Sequence, residues 1–349
     1  MGRRAATCLH RTRRLPMPSL PVRPSFAHLL SACALLFCMG LKAPPAHADY
    51  PERPVRMVVG VQAGASTDTL TRQLAKRLND RLGHQFVVEN KPGAATRIAM
   101  ETLSRAPADG YTLGVANGVT ANFPMMFDDF AFVPGKDFTP VSLLGRAPSY
   151  LAIRASLPVR NVQEFIAYAK AQNGKLNYGQ GGNGSNPHLA ARLLIQSLGV
   201  QATEVAYKGN APTAVALASG EIDLAILDYP SVRPLVERGS VRLLAVTEPR
   251  RAALTPDVPT STEQGLTPRL EGVTPWFMLV APAGTPAAVV ELLNREVNQA
   301  LLSPGVRETA QAAGIEPEGM GVAESQAYFL RQRESAAQLS RELNVSLKN

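Results

Sequence analysis

Residues 54–82 read PVRMVVGVQAGASTDTLTRQLAKRLNDRL, and this stretch decides the fold class. The apolar run at 54–60 is short and rich in valine, which predicts a buried strand. Leucines then recur every fourth residue from Leu70 to Leu82, which predicts an amphipathic helix. A loop of small residues at 62–68 joins the two elements, so the stretch predicts a strand–loop–helix unit whose loop lets a ligand approach the backbone closely.

The chain after residue 86 repeats this alternation of strands and helices. Short apolar runs, turn residues and helical periodicity follow one another up to about residue 281, and helices close the chain. This order predicts an α/β fold with mostly parallel sheets. A length of 349 residues corresponds to about two domains.

The first 48 residues have the composition of a secretory signal peptide. They contain seven Lys and Arg residues and no Asp or Glu. The apolar run at 27–41 leads to Ala46-His47-Ala48, which has small residues at the positions that signal peptidase requires. We therefore predict cleavage after Ala48 and export to the periplasm, with Met1 and Met17 as alternative start sites.

Removal of this segment leaves a nearly balanced charge. The full chain has 36 basic and 28 acidic residues, and loss of the seven leaves 29 basic residues against 28 acidic ones. The basic character therefore gives no argument for nucleic-acid binding. All three cysteines (Cys8, Cys33 and Cys38) lie in the removed segment, so the exported chain is predicted to lack a disulfide, a catalytic thiol and a cysteine metal site.

A second distinctive stretch is the glycine-rich loop at 179–186. Gly179, Gly181 and Gly184 form G-x-G-x-x-G between a predicted strand and a predicted helix, which is the context of a dinucleotide-binding fingerprint. The acidic residue about 20 positions further on is Glu204, at the start of the next predicted strand rather than at the strand end that a ribose contact requires. Dinucleotide binding is therefore the minor alternative.

The two loops also suggest an anion site. Each combines small residues and a hydroxyl with the start of a helix, where first-turn N–H groups have no partner inside the helix. The candidate N-caps are Ser66, Thr67 and Asp68 in the first loop and Ser185 in the second. If the loops face each other across a cleft, they predict a site for a carboxylate.

Two single residues have alternative interpretations. His188, in the first turn of the second helix, either hydrogen-bonds a ligand carboxylate or caps and packs. Asp228, at the end of a predicted strand, either accepts a hydrogen bond from a ligand ammonium or hydroxyl group, or forms a turn. Metal-ligand spacing and a G-x-S-x-G elbow are both absent from the sequence, which therefore predicts neither metal nor catalysis.

Five segments of the predicted mature chain carry a resemblance to a known family, namely 55–118, KDFTPVSLLG at 136–145, NYGQGGNGSNPHLA at 177–190, 206–228 and 276–301. In these segments and in their order, nearly the whole predicted mature chain resembles the periplasmic solute-binding receptors of tripartite tricarboxylate transporters, the Bug or TctC family. The resemblance implies a type II periplasmic-binding-protein fold with two α/β domains, 49–148 with 272–349 and 149–271, and a ligand cleft between them.

The same resemblance implies a function. A receptor of this kind is not an enzyme, needs no cofactor, and captures a small carboxylate such as a di- or tricarboxylate, an acidic amino acid or an aromatic acid. Its expected partner is a two-component membrane permease (TctA/TctB-like), and a sensor kinase and an exported dinucleotide-binding enzyme are the alternatives. We expect a monomer that binds no nucleic acid.

The loops that the family uses define the expected ligand-binding residues. These are Ala63, Ala65, Ser66, Thr67, Asp68, Asn117, Gly118, Thr120, Gly181, Gly184, Ser185, Asn186, His188 and Asp228. Ala65 and Ser66 depart from the family's usual Gly-Gly, which narrows the pocket or adds a donor. Phe123 stands where the family usually has Asn, and if it faces the cleft it favours an apolar or aromatic acid. These departures prevent transfer of ligand identity from any relative.

Overall fold

The computed structural model describes residues 50–127, 136–172 and 174–343. The predicted signal peptide, residues 1–48, lies outside this described part. No helix within the described ranges has both the length and the apolar character that crossing a membrane requires.

The opening stretch forms the predicted strand and helix, β1 (Val55–Val59) and α1 (Ser66–Leu82). Leu70, Leu74 and Leu78 on α1 are fully buried, as their four-residue spacing predicts. The helix ends at Gly83, which adopts a left-handed conformation with φ 70° and donates its N–H to the carbonyl of Asn79.

The other elements alternate along the chain. The remaining strands are β2 (Phe86–Asn90), β3 (Thr112–Asn117), β4 (Phe138–Arg146), β5 (Ser149–Arg154), β6 (Leu176–Gln180), β7 (Ala202–Ala206), β8 (Leu224–Asp228), β9 (Val241–Val246), β10 (Trp276–Pro282) and β11 (Glu316–Pro317). The remaining helices are α2 (Arg97–Ser104), α3 (Gly118–Met126), α4 (Val162–Ala171), α5 (Asn186–Leu198), α6 (Asn210–Ser219), α7 (Tyr229–Glu237), α8 (Ala287–Leu301), α9 (Pro304–Ala312) and α10 (Val322–Glu342). Short 3-10 turns lie at Ala94–Thr96 and Pro268–Gly272.

The strands form two sheets, which share one strand order once the edge strand β11 is set aside and the first sheet is read from β2. The first sheet runs β11-β4-β10-β3-β1-β2 and the second runs β7-β6-β8-β5-β9. Four strands of each sheet point in one direction, β1 to β4 in the first and β6 to β9 in the second, whereas β10 and β5 run antiparallel to both of their neighbours. The short β11 also runs antiparallel to its neighbour β4. Most strands of each sheet therefore point the same way, as expected, and the reversed strands make both sheets mixed.

The reason for the reversed strands lies in where each of them starts. Ser149, the first residue of β5, pairs with Asp228 at the end of β8, and Phe277 near the start of β10 pairs with Asn117 at the end of β3. Each reversed strand thus enters its sheet at the edge where the parallel strands end, so it can only run antiparallel to them. Only residues 147 and 148 separate β4, in the first sheet, from β5, in the second.

Helices cover both faces of each sheet. Met57 packs in the core under α1, whereas its neighbour Val58 packs in the core with Met100 of α2. In β5 the same alternation places Ile153 in one hydrophobic core and its neighbour Ala152 in another. The predicted α/β architecture is confirmed, whereas the division into domains at residues 148 and 271 stays a prediction.

Candidate ligand-binding site

A cavity of about 390 Å³ lies between the carboxyl ends of the parallel strands of the two sheets. This is the edge at which α/β folds bind ligands, and the volume falls within the usual range for small-molecule sites. Apolar residues form part of the wall, namely Val119, Ala147, Pro187, Pro230, Pro275, Trp276, Phe277, Ala313 and Ile315. The ring of Trp276 itself packs in the core behind the wall.

Five helices begin at this cavity. Its lining includes the first residues of four of them, Ser66 of α1, Gly118 of α3, Asn186 of α5 and Asn210 of α6, and the N-cap of α7, Asp228. Helix starts supply N–H donors and positive potential. Of the described residues that line the cavity, none is Lys, Arg or His. Backbone amides, hydroxyls and side-chain amides are therefore the groups available to an anion.

Three of these helices carry side-chain caps. Asn117 Oδ1 accepts from the N–H of Thr120 at 3.2 Å, and Thr120 Oγ1 accepts from the N–H of Asn117 at 3.2 Å, which forms a reciprocal capping box. Ser185 Oγ accepts from the N–H of His188 at 3.3 Å, so the predicted Ser185 cap is present. Asp228 Oδ1 accepts from the N–H of Ser231 at 2.9 Å. Each cap engages the third N–H of its helix.

The first loop differs from its prediction. Ser66, Thr67 and Asp68 are already helical, and the N-cap of α1 is Ala65, whose side chain makes no capping bond. The prediction of a capping side chain here was wrong, because Asp68 occupies the third helical position. From that position its Oδ2 reaches back to accept from the N–H of Gly64 at 2.8 Å.

Asp68 holds the loop in place. The carboxylate is almost fully buried and also accepts from Arg72 Nε at 2.9 Å and Asn90 Nδ2 at 2.8 Å. Burial by itself would raise the pKa of Asp68, but the hydrogen bonds from Arg72, Gly64 and Asn90 hold that pKa below its ordinary value. Its carboxylate therefore anchors the loop from behind and does not line the cavity.

His188 lies beneath the glycine-rich loop. It is 1% exposed, its Nδ1 accepts from the N–H of Gly184 at 3.0 Å, and its Nε2 lies 3.2 Å from Glu204 Oε1. Burial lowers the pKa of His188, although Glu204 acts in the opposite direction. Both ring nitrogens thus face protein groups, which favours the packing alternative.

Phe123 does not face the cavity. It is fully buried in a core cluster, and its ring packs against Phe127 with centroids 5.6 Å apart at 73°. The hypothesis that Phe123 favours an aromatic ligand is therefore wrong. Phe123 lies five residues after Gly118 on α3, which is about one turn and a half of helix. Its side chain therefore projects from another side of α3, towards the core.

Half of the expected site residues come together at the cavity. Those that line it are Ser66, Asn117, Gly118, Gly181, Ser185, Asn186 and Asp228. Those outside the lining are Ala63, Ala65, Thr67, Asp68, Thr120, Gly184 and His188. A ligand-binding role for any of them stays a prediction.

Several lining residues were missed by the sequence analysis. Asn210 follows a strand and opens a helix after Gly209, which is the same signal as in the other two loops. Ser149 and Trp276 gave no such signal, because they start strands that reach the cavity only when the sheets assemble.

The two walls of the cavity contact each other. Asn186 Nδ2 donates to the carbonyl of Thr274 at 3.0 Å, and Asn122 Nδ2 donates to the carbonyl of Gly184 at 2.9 Å. Both bonds join residues near one sheet to residues near the other.

Packing accounts for two of the three glycines of the dinucleotide-like motif, and the third, Gly184, has a positive φ of 72°. A β-carbon at Gly179 would overlap Ile222, and one at Gly181 would lie 2.6 Å from Asn210 Oδ1. Glu204 lies in the middle of β7 and accepts from the hydroxyl of Tyr178. Within the part of the chain that the structure describes, no group of His, Cys, Asp and Glu residues could hold a metal ion.

Comparisons with known proteins agree with this architecture. The family model described as "Tripartite tricarboxylate transporter family receptor" matches residues 70–344. BugT of Bordetella pertussis is 34% identical over 281 residues, which cover 80% of this chain and 85% of BugT. Two solved structures are also similar, Rpa4515 of R. palustris with adipate (TM-score 0.70, 33% identity, 85% of this chain and 99% of that one) and MatC of Rhodopseudomonas palustris with bound malate (TM-score 0.63, 32% identity, 85% and 100%).

These likenesses confirm the expected periplasmic-binding-protein fold. They also confirm that the chain is not an enzyme, since the family consists of periplasmic binding receptors. Because the family model spans most of the described chain and the relatives match along nearly their whole length, this chain belongs to the Bug/TctC family of tripartite tricarboxylate transporter receptors.

Proposed function

We propose that this chain captures a small carboxylate in the periplasm and delivers it to the two-component membrane permease of a tripartite tricarboxylate transporter. The observation that carries the proposal is the convergence of helix starts on a cavity whose described lining has no cationic side chain. The adipate and malate in the structures of two family members support the choice of a carboxylate.

The physical basis is anion binding by oriented backbone donors. Helix N-terminal N–H groups and the helix dipoles attract a carboxylate without an arginine partner. The apolar wall at Val119 and Phe277 then receives the carbon skeleton of the ligand. A dissociation constant of micromolar or below, about −8 kcal/mol or better, is ordinary for such a site.

Export and closure complete the proposed cycle. The signal-like segment directs the chain to the periplasm, where cleavage leaves Asp49 as the first residue. The domains at 49–148 with 272–349 and at 149–271 then close on the ligand, and the permease recognises the closed form. N-terminal sequencing of the exported protein tests the cleavage site.

A thermal-shift screen of the exported chain tests carboxylate capture. The panel contains carboxylic acids, the amide of each acid, and NAD. We expect the melting temperature to rise with at least one acid and not with its amide, because the amide lacks the charge that the helix starts attract. A rise with NAD and with no acid would overturn the proposal.

A further inference from the structure

The second-sheet wall of the cavity carries a polar cluster of Ser149, Asn210 and Asp228. We propose that this cluster binds a hydrogen-bond donor of the ligand, so that the receptor selects carboxylates that also carry a hydroxyl or ammonium group. The inference rests on the proposed carboxylate-binding function and specifies the ligand class of the same site.

Ser149 and Asp228 are neighbours in the sheet. They are register partners in the antiparallel pair of β5 and β8. Residues directly opposite each other in such a pair project to the same side of the sheet, a few ångströms apart. Both residues line the cavity, and of the two Asp228 is the one with exposed surface.

Asp228 supplies the acceptor. It is the only charged residue among the described residues of the cavity lining. Its Oδ1 accepts from the N–H of Ser231 at 2.9 Å and its Oδ2 accepts from Asn210 Nδ2. A carboxylate offers about four lone-pair sites, so two protein donors leave acceptor capacity for a ligand donor. Its negative charge disfavours a second carboxylate at this end of the cavity.

Ser149 supplies a hydroxyl that has no partner within the protein. The residue has no exposed surface, and its Oγ makes no hydrogen bond to any described residue. A buried hydroxyl without a partner is costly, and such groups are rare in folded proteins. A ligand hydroxyl or ammonium group would donate to Asp228, and the Ser149 hydroxyl lies beside that contact on the same side of the sheet.

Asn210 is a positioning residue for this cluster. Its amide donates to Asp228, and its own place depends on Gly181, where a β-carbon would lie 2.6 Å from Asn210 Oδ1 and 2.8 Å from Asn210 N. The close approach of Gly181 thus allows Asn210 to orient the carboxylate of Asp228 towards the cavity.

Calorimetric titration of the exported chain with matched acids tests the proposal. The probes are succinate, malate and aspartate, and in parallel 3-phenylpropanoate, 3-phenyllactate and phenylalanine. Within at least one series we expect the hydroxyl or ammonium acid to bind about 10-fold or more tightly than the unsubstituted acid, which is typical of a hydrogen bond to a charged group. Equal or tighter binding of the unsubstituted acids would overturn the proposal.

Two variants assign the preference to the cluster. Asp228→Asn preserves the N-cap of α7, since Asn caps as well as Asp, and we expect it to reduce the preference to about 1-fold. Ser149→Ala removes a hydroxyl without a protein partner, so we expect an unchanged or higher melting temperature. A smaller preference in this variant would show that the ligand also engages the Ser149 hydroxyl. The exposed Asp257→Asn is the matched control and should keep the full preference.

The outcomes separate the two proposals. A preference that persists unchanged in Asp228→Asn contradicts the role of Asp228, while carboxylate binding still stands. Binding of no acid in either series, with no acid-dependent thermal shift, rejects carboxylate capture and this inference with it.

Discussion

Gly118 and Asn186 lie so close across the cavity that a β-carbon at residue 118 would sit 3.0 Å from Cγ of Asn186 and nearer still to its Oδ1. These are the first residues of α3 and α5, which follow strands of different sheets. The Asn186 side chain that fills this space donates to the carbonyl of Thr274 at 3.0 Å. The absence of a side chain at 118 therefore permits a contact that joins the two walls.

Gly118→Ala is expected to displace the Asn186 side chain and break its bond to Thr274. Forcing a methyl group into this contact should lower the free energy of unfolding by about 1–3 kcal/mol and weaken carboxylate binding. Urea unfolding and the ligand-induced thermal shift measure the two effects. Gly272→Ala is the control, because a β-carbon there would have no neighbour within 4 Å. Equal behaviour of the two variants would contradict the importance of the 118–186 contact.

Asp68→Asn is expected to lower the free energy of unfolding by about 1–3 kcal/mol, because an amide cannot accept from Gly64, Arg72 and Asn90 together. Since the pKa of Asp68 is held low in the folded state, its contribution is present above the unfolded pKa and is lost as the pH falls through the folded pKa. Urea unfolding of the variant and the wild type at pH 7 and at acid pH measures the loss of stability and its dependence on pH. Asp80→Asn, at an exposed position of α1, should have little effect at either pH.

Glu248 is expected to make stability fall as the pH rises from about 5 to 8. Burial raises the pKa of Glu248 to about 7 although Arg146 Nη1 lies 2.8 Å from its Oε2. Between the ordinary glutamate value of 4.5 and about 7, the folded state therefore holds a proton that the unfolded state does not. A rise in pH through this range favours unfolding, by at most about 3 kcal/mol.

Glu248→Gln should remove this part of the pH dependence, which melting curves at several pH values would measure. Arg146 keeps its second partner in the variant, since its Nε lies 2.7 Å from Glu318 Oε2. Glu237→Gln, at an exposed position, is the control and should keep the slope of the wild type. If the melting temperature of Glu248→Gln fell with pH as steeply as that of the wild type, a group other than Glu248 would be responsible.

Ala95→Gly is expected to stabilise the protein by up to about 1 kcal/mol. Ala95 has a left-handed backbone with φ 52° and ψ 44°, between Ala94 and Thr96, which also have positive φ. Glycine adopts this conformation without the strain that a β-carbon causes. Ala167→Gly, at an exposed position in the middle of α4, should instead destabilise by about 0.5–1 kcal/mol. Thermal unfolding measures the change in stability of each variant. Destabilisation by both would contradict the backbone strain at Ala95.

Local sequence sufficed wherever neighbours along the chain decide the structure. The leucines of α1 and the Ser185 cap each act within one helix, so their spacing or residue type predicted them. The small polar residues at helix starts likewise predicted much of the cavity wall, and family-specific segments predicted the receptor fold.

Tertiary structure decided what depends on distant partners. Asp68 is a buried anchor of the first loop and not the expected N-cap, because Asn90, from another element, donates to it. Phe123 turned inward because a core forms on that side of α3. Ser149 and Trp276 reached the cavity because reversed strands enter each sheet at its ligand edge. Periodicity and capping encode which face of an element is buried, but which other element covers that face is set only when the sheets assemble.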